Sequence, residues 1–116
     1  MNNNQSGYWA EFIARNYMRL KGYRIIAKNY ITGKGTHAGE IDFIAKKGNI
    51  LIFVEVKKRS SLENAIYAIK PVQQQRIRNA AQAFIAYNPQ FQNYDIRFDA
   101  ILIAFPYHIK HITNAW

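Results

Sequence analysis

The hydrophobic pattern at the start of the chain predicts a helix from Ser6 to Leu20. Apolar side chains recur there every three or four residues, as on one face of a helix. Ser6 is suited to cap the first turn and Gly22 is suited to end the last one. The expected apolar face comprises Trp9, Ile13, Tyr17 and Leu20, widened by Ala10, Ala14 and Met18.

A second helical pattern runs from Pro71 to about Tyr87. Proline is well placed in the first turn of a helix, and the following Asn88–Pro89 pair is suited to end it. The residues expected to face the core are Ile77, Ala80, Ala81 and Phe84.

Four segments rich in β-branched and aromatic residues predict strands. Two of these segments, Gly39–Lys46 and Ile50–Lys57, flank a short turn at Lys47–Asn49 and so predict a β-hairpin. Ile50–Val54 is apolar on both faces, which is typical of a central strand. Residues 106–116 carry no clear pattern, and residues 31–38 read as a basic, glycine-rich loop. The expected strands are Tyr23–Tyr30, Gly39–Lys46, Ile50–Lys57 and Arg97–Phe105.

The resulting order, αβββαβ, predicts one α/β domain over residues 1–116, with a mixed sheet flanked by helices. The net charge of +9, from 16 basic and 7 acidic residues, favours a polyanionic partner such as nucleic acid. The chain has no cysteine, which excludes disulfides, thiolate zinc sites and a cysteine nucleophile. No apolar run approaches the roughly 20 residues of a membrane span, and the polar start argues against a secretory signal. We therefore expect a cytoplasmic protein without a membrane partner.

Two acidic residues of the hairpin are predicted to lie side by side. A two-residue loop at Gly48–Asn49 places Asp42 directly opposite Glu55, and a loop at Lys47–Gly48 makes them diagonal. A three-residue loop would instead put Asp42 on the other face. In the first two registers Lys57 shares the face of both acids, because residues two apart in a strand point the same way.

A charged group at the end of a buried strand needs a physical reason. In the plain alternative the strand leaves the sheet and Glu55 pairs with Lys57. Opposed carboxylates destabilise a sheet, however, and a bound cation would remove their repulsion. Oxygen ligands from Asp42, Glu55 and the backbone carbonyl of Val56 suit Mg²⁺ or Mn²⁺. Together with a neighbouring lysine and a basic surface, this pattern predicts metal-assisted phosphodiester hydrolysis.

Two motifs resemble those of a known family. Gly39–Ala45 (GEIDFIA) and Phe53–Arg59 (FVEVKKR) are similar to the central motifs of the YraN-like family of small bacterial proteins. That family belongs to the PD-(D/E)xK nuclease superfamily and is close to archaeal-type Holliday junction resolvases. The resemblance implies a restriction-endonuclease-like core and an endonuclease acting on DNA, including branched or structured DNA. Shorter similarities extend over nearly the whole chain, at Glu11–Ala14, Leu20–Tyr23, Arg76–Ala81, Arg97–Asp99 and His111–Trp116.

The resemblance also implies roles for individual residues. Asp42 and Glu55 would hold the metal ion, and Lys57 would be the catalytic lysine. Glu11 would bring a further carboxylate from the first helix. Gln74 stands where the family commonly has a lysine near the site, so it marks an auxiliary position.

Several acids have simpler roles open to them. Arg15 follows Glu11 by four residues, so a surface ion pair would explain Glu11 equally well. Glu40 is next to the first motif but is expected to point away from Asp42, as an auxiliary or structural residue. Asp99 is expected to hold a strand edge, partnered by a nearby arginine or a backbone amide.

Exposed cations are the expected contacts to DNA phosphates. The candidates are Lys34, Lys58, Arg59 and Arg76. The aromatic side chains are expected in the core rather than stacked on bases, among them Tyr8, Trp9 and Tyr17.

Three functional classes remain open. The first is a Mg²⁺- or Mn²⁺-dependent endonuclease acting on DNA, with RNA as the alternative substrate. A homodimer would supply two sites for two strand cuts. The second is a nucleic-acid-binding module of the same fold without significant catalysis, and the third is a basic interaction protein with no nucleic-acid role.

Overall fold

The computed structural model describes residues 3–32, 39–59, 69–104 and 108–116, which form a five-stranded sheet with a helix packed on each face. None of the helices in these ranges is both long and apolar enough to cross a membrane. The helices are α1 (Asn3–Leu20) and α2 (Pro71–Tyr87), and a 3₁₀ turn, Pro89–Phe91, follows α2. The strands are β1 (Arg24–Ile31), β2 (Glu40–Lys47), β3 (Ile50–Lys58), β4 (Asp95–Ala104) and β5 (His108–Ile112).

The sheet is mixed, with the strands in the order β1-β2-β3-β4-β5. The β3–β4 pair is parallel, and the other three pairs are antiparallel. Parallel strands need a crossover connection, and α2 lies in the segment between β3 and β4. The predicted mixed α/β architecture with flanking helices is therefore confirmed.

The β2–β3 hairpin has the register of a two-residue loop. Lys47 is paired with Ile50, and the loop residues are Gly48 and Asn49. Gly48 has a φ of +59° at the first loop position, as a type II′ turn requires. Of the registers left open by the sequence, this one directs Asp42 and Glu55 towards the same region.

Strand β3 is the centre of the sheet. Every residue from Leu51 to Val56 is buried, which confirms that the strand is covered on both faces. Its side chains alternate between two clusters, with Phe53 on the α2 side and Val54 on the α1 side. A charged Glu55 at the end of such a strand is therefore held inside the protein.

Helix α2 has the predicted bounds and the predicted buried face. Its buried residues are Ile77, Ala80, Ala81 and Phe84. Phe84 packs edge-on against Phe53, with ring centroids 6.1 Å apart. The first turn of α2 lies over the carboxyl end of β3, where Gln73 hydrogen-bonds to Glu55.

Helix α1 differs from the prediction in its start and in its buried face. It begins at Asn3, so Ser6 lies within the helix and is not its cap. The buried stripe is Ala10, Ala14 and Met18, which the prediction included, and the two alanines let the helix approach the sheet closely. Ile13 and Tyr17 are half-buried against the same cluster, whereas Trp9 and Leu20, also expected on this face, are exposed. Tyr8, expected in the core, is exposed as well. Gly22 ends the helix as predicted, with a φ of +93°.

The C-terminal strand β5 was not predicted. His108–Ile112 pairs with β4 at the sheet edge, and β4 itself starts at Asp95, two residues before the predicted bound. A five-residue edge strand of mixed polarity gives little hydrophobic pattern, which is why the sequence left this segment open.

Candidate functional site

The functional candidates meet where β2 and β3 diverge. The last paired residues are Phe43 and Val54. Beyond them, the N–H of Val56 donates to Asp42 Oδ2 at 2.7 Å, so a side chain takes the position of the next β2 carbonyl. Ile41 packs in the α2-side cluster, although strict alternation would place it with Phe43 on the α1 side. Strand β2 therefore turns away from β3 at Asp42.

The Val56 carbonyl faces the same gap. In a regular strand, the N–H and C=O of one residue point towards the same neighbouring strand. Since the Val56 N–H meets the Asp42 carboxyl, its C=O also lies on the β2 side. This placement agrees with the predicted pairing of a carboxylate and a backbone oxygen at one edge.

Glu55 is buried beside two polar neighbours. It is only 6% exposed, and its Oε1 accepts a hydrogen bond from Gln73 Nε2 at 2.7 Å. Lys57 Nζ lies 3.3 Å from the same oxygen. The ion pair of the plain alternative is thus present, but it forms part of a larger cluster that includes Asp42.

Asp42 and Glu55 are coupled carboxyl groups. Burial, followed by the charge of Asp42, raises the pKa of Glu55 from 4.5 to about 8, although Lys57 opposes the shift. Burial also raises the pKa of Asp42, against hydrogen bonds from the Val56 amide and from Glu55. Each carboxyl is among the causes that shift the pKa of the other, and together the shifts favour a proton on Glu55 beside the Asp42 carboxylate.

Glu11 reaches the cluster from α1. Burial, with the charge of Asp42 as the next cause, raises the pKa of Glu11 from 4.5 to about 7. Its Oε1 is buried and has no hydrogen-bond partner among the described residues. Arg15 is only 5% exposed, so it is not a surface partner, but its charge opposes the rise in the pKa of Glu11. Glu11 is thus a half-buried carboxyl that lies within range of the charges of both Asp42 and Arg15.

Glu40 also acts on the cluster, contrary to the expectation that it points away. Its negative charge is among the causes that raise the pKa of Asp42 and of Glu11. Glu40 lies two residues before Asp42 and lines the same cleft as Glu55, so its charge is within range of the cluster. Glu40 is exposed and lines the entrance to the site.

The cluster offers oxygen ligands to a divalent cation. Within the described ranges, no three acidic or histidine side chains are close enough to form a metal site by themselves. The donor set is therefore two carboxylates, Asp42 and Glu55, with the Val56 carbonyl. This set fits Mg²⁺, which commonly takes one or two carboxylates and completes its shell with water and phosphate oxygens.

A cleft of about 360 Å³ opens beside Glu55. Its cations are Lys70 and Arg76, both exposed. Gly39 closes one side with a φ of +81°, and a Cβ added there would lie 2.9 Å from the Cβ of Arg76. The predicted phosphate contact Arg76 thus lies at the mouth of the cleft. The lining residues are Gly39, Glu40, Glu55, Lys70, Val72, Gln73, Arg76 and Ile77.

The residue of α2 that contacts Glu55 is Gln73 rather than Gln74. Gln74 Nε2 donates to the Ile69 carbonyl at 3.0 Å, so its side chain holds the approach to the helix. Gln73 was not singled out from the sequence. It lies four residues before Ile77 and so extends the buried face by one turn, which is the signal that could have found it.

The other predicted phosphate contacts are only partly described. Lys58 and Arg59 are exposed at and just beyond the end of β3. Arg59 N–H donates to the Ile103 carbonyl at 2.9 Å, and its guanidinium donates to the Lys58 carbonyl at 2.8 Å. Lys34 lies outside the described residues.

Asp99 anchors a second polar cluster, in β4 and the C-terminal segment. It is fully buried and accepts hydrogen bonds from Arg97 Nε and Nη2 at 2.8 and 2.7 Å and from the Asn114 amide at 3.0 Å. His111 Nε2 lies 2.7 Å from Asp99 Oδ2. The predicted arginine and amide partners are confirmed, but β5 covers β4, so Asp99 is not at the sheet edge. These bonds lower the pKa of Asp99 despite its burial.

Comparison with known proteins places this arrangement in a family. The model of the uncharacterised protein family UPF0102 matches residues 10–103. A UPF0102 protein of Paramagnetospirillum magneticum is 45% identical over 111 residues, covering 95% of this chain and 85% of its own length. A UPF0102 protein of Bradyrhizobium diazoefficiens is 47% identical over 112 residues, covering 97% and 81%. The chain therefore belongs to UPF0102, the YraN-like family that its two central motifs resemble.

Proposed function

We propose that this protein is a metal-dependent endonuclease that hydrolyses phosphodiester bonds in DNA. One observation carries the proposal: the buried carboxyl of Glu55 is coupled to the half-buried carboxyl of Asp42, with a lysine 3.3 Å from Glu55. Burying two mutually repelling acids costs stability, and function is the common reason for such a cost. We also propose that the sheet, with α2 in the β3–β4 crossover, is a restriction-endonuclease-like core.

Each residue of the site would have a role that follows from its position. Asp42, Glu55 and the Val56 carbonyl would hold Mg²⁺ or Mn²⁺. When bound, the ion supplies charge that stabilises the transition state and lowers the pKa of a coordinated water. Gln73 fixes the orientation of Glu55 through its 2.7 Å hydrogen bond. Lys57 brings a positive charge to the reacting phosphate, and Glu11 offers a further acceptor.

The charge distribution supports a nucleic-acid substrate. The chain carries a net charge of +9, and four of its seven acids, Glu11, Glu40, Asp42 and Glu55, belong to the site just described. Lys70 and Arg76 line the cleft, and Lys58 and Arg59 lie at the end of β3. These basic side chains are suited to bind the phosphates of a nucleic-acid backbone. The acidic cluster would repel the same phosphates, so a cation is needed there.

A cleavage assay tests the proposal. Labelled linear duplex, single-stranded, flapped and four-way DNA would be incubated with Mn²⁺ or with EDTA. We expect Glu55→Gln and Lys57→Met to reduce the Mn²⁺-dependent rate by about 100-fold or more. Lys28→Met, at an exposed position on β1, is the matched control and should cleave like wild type.

The outcomes separate the open classes. Equal trace cleavage by wild type and the Glu55 and Lys57 variants would indicate contamination and contradict the proposal. Salt-dependent DNA binding without any cleavage would instead favour a nucleic-acid-binding module of the same fold. Cleavage of RNA in place of DNA would keep the mechanism and change the substrate. Sedimentation of the active protein would decide whether a homodimer supplies the two sites.

A further inference from the structure

The first half of α1 carries an exposed aromatic surface formed by Tyr8, Trp9 and Phe12. These side chains are 63%, 46% and 43% exposed. The rings of Trp9 and Phe12 touch edge to face, with centroids 5.7 Å apart, and Tyr8 lies one helical turn before Phe12. The sequence predicted Tyr8 and Trp9 in the core. Their exposure as one contiguous group, rather than singly, indicates a binding surface.

This aromatic surface adjoins the carboxyl cluster. Glu11, whose carboxyl is within range of the charge of Asp42, lies three residues after Tyr8 and directly before Phe12 on the same helix. Side chains three apart on a helix are neighbours, so Tyr8 lies beside Glu11. The aromatic surface therefore borders the part of the carboxyl cluster that α1 supplies.

The positive charge of the protein indicates which kind of molecule binds to the aromatic surface. Apart from Glu11, the charged side chains of α1 are Arg15, which is buried, and Arg19, which is exposed, and the whole chain carries +9. A second copy of the chain would bring a further +9 to this surface, whereas a nucleic acid brings the opposite charge. Exposed aromatic side chains on a basic protein are the usual platform for nucleobases, because every base has a face on which a ring can stack.

We propose that Tyr8, Trp9 and Phe12 stack on unpaired nucleobases, so that the substrate is nucleic acid with a single-stranded or branched region. This proposal rests on the proposed function of the adjoining site. In a regular duplex the faces of the bases are covered by their neighbours, and only ends, flaps and junctions expose them. The aromatic surface therefore selects the form of the substrate, whereas the cations bind any phosphate backbone.

Binding of fluorescein-labelled DNA in EDTA tests the proposal without cleavage. The probes are a single-stranded thymidine oligonucleotide and a blunt duplex of equal length. We expect Tyr8→Leu/Phe12→Leu to weaken single-strand binding at least about fivefold and to leave duplex binding within about twofold. Tyr87→Leu, at a tyrosine that is 80% exposed at the end of α2, is the matched control and should change neither.

Tryptophan fluorescence gives a second readout. The chain has two tryptophans, and Trp116 is partly buried against Phe98, with ring centroids 5.6 Å apart. We expect the oligonucleotide to quench the wild-type emission and to quench Trp9→Phe much less. Circular dichroism of each variant establishes that α1 remains folded.

Three results would overturn the proposal. They are unchanged single-strand binding by the double variant, an equal loss on both probes, or a dimer that the double variant dissociates. The last result would make the aromatic surface a protein interface. Failure of the proposed function is a separate outcome, because Glu55→Gln would then match wild type in cleavage whatever the aromatic variants do.

Discussion

Replacing Glu55 with glutamine should make the metal-free protein more stable at alkaline pH. The pKa of Glu55 is raised from 4.5 to about 8 by burial and by Asp42. Between these values the folded chain keeps a proton that the unfolded chain has lost. The contribution of Glu55 to stability is therefore full below about pH 4.5, falls as the pH rises, and is lost above about pH 8. Glutamine keeps the shape and removes this proton linkage.

The magnitude follows from the linkage relation. One retained proton changes the free energy of unfolding by about 1.4 kcal/mol for each pH unit inside this window. From about pH 5.5 to about pH 7.5 the wild type should therefore lose about 3 kcal/mol more than Glu55→Gln. Because Glu55 is only 6% exposed, solvent screening reduces this value little.

Urea unfolding in EDTA, followed by circular dichroism at four pH values, measures the effect. The difference between wild type and variant cancels the titrating groups that do not interact with Glu55, and so it reports on Glu55 together with its coupled partner Asp42. Asp95→Asn, which changes an exposed carboxyl at the start of β4, is the matched control and should parallel the wild type. Equal pH slopes for wild type and Glu55→Gln would show that Glu55 is ionised in the folded protein, and the reasoning would fail.

Three further changes test other parts of the structure. Asp99→Ala removes the acceptor of Arg97 and the partner of buried His111. It should lower the free energy of unfolding in urea by about 3–5 kcal/mol. A decrease below about 1 kcal/mol would contradict the anchoring role. Gly39→Ala should lower the melting temperature, because its φ is +81° and the new Cβ would crowd Arg76, whereas Gly7→Ala has open space and should not. DNA binding should weaken steeply and linearly in a plot of log affinity against log salt, and a flat plot would exclude phosphate contacts.

The parts of the fold that local chemistry determines were predictable. The Gly48 turn set the hairpin register, and the helical period set the buried face of α2. The buried face of α1 was predicted only in part: Ala10, Ala14 and Met18 are buried as expected, but Trp9 and Leu20 are exposed, because close packing on the sheet centres the buried stripe on the two alanines. Strand β5 gave no signal because a short edge strand gains its order from pairing with β4.

The candidate site also has parts that could be predicted from the sequence and parts that could not. Asp42, Glu55 and Lys57 could be brought together from strand alternation and one turn. The divergence of β2 from β3 could not be predicted, since alternation does not say where a ladder ends. The contact of Gln73 with Glu55 depends on how α2 sits over the sheet, and that position follows from the packing of its whole buried face against the sheet.

The central claim is that the Asp42–Glu55 pair holds a proton until a divalent cation replaces it. Calorimetric titration with Mn²⁺ at about pH 7, repeated in two buffers of different ionisation enthalpy, counts the protons released on binding. We expect one Mn²⁺ per chain, release of about one proton, and loss of binding in Asp42→Ala and Glu55→Gln. Binding without proton release, or binding that survives both substitutions, would contradict the claim.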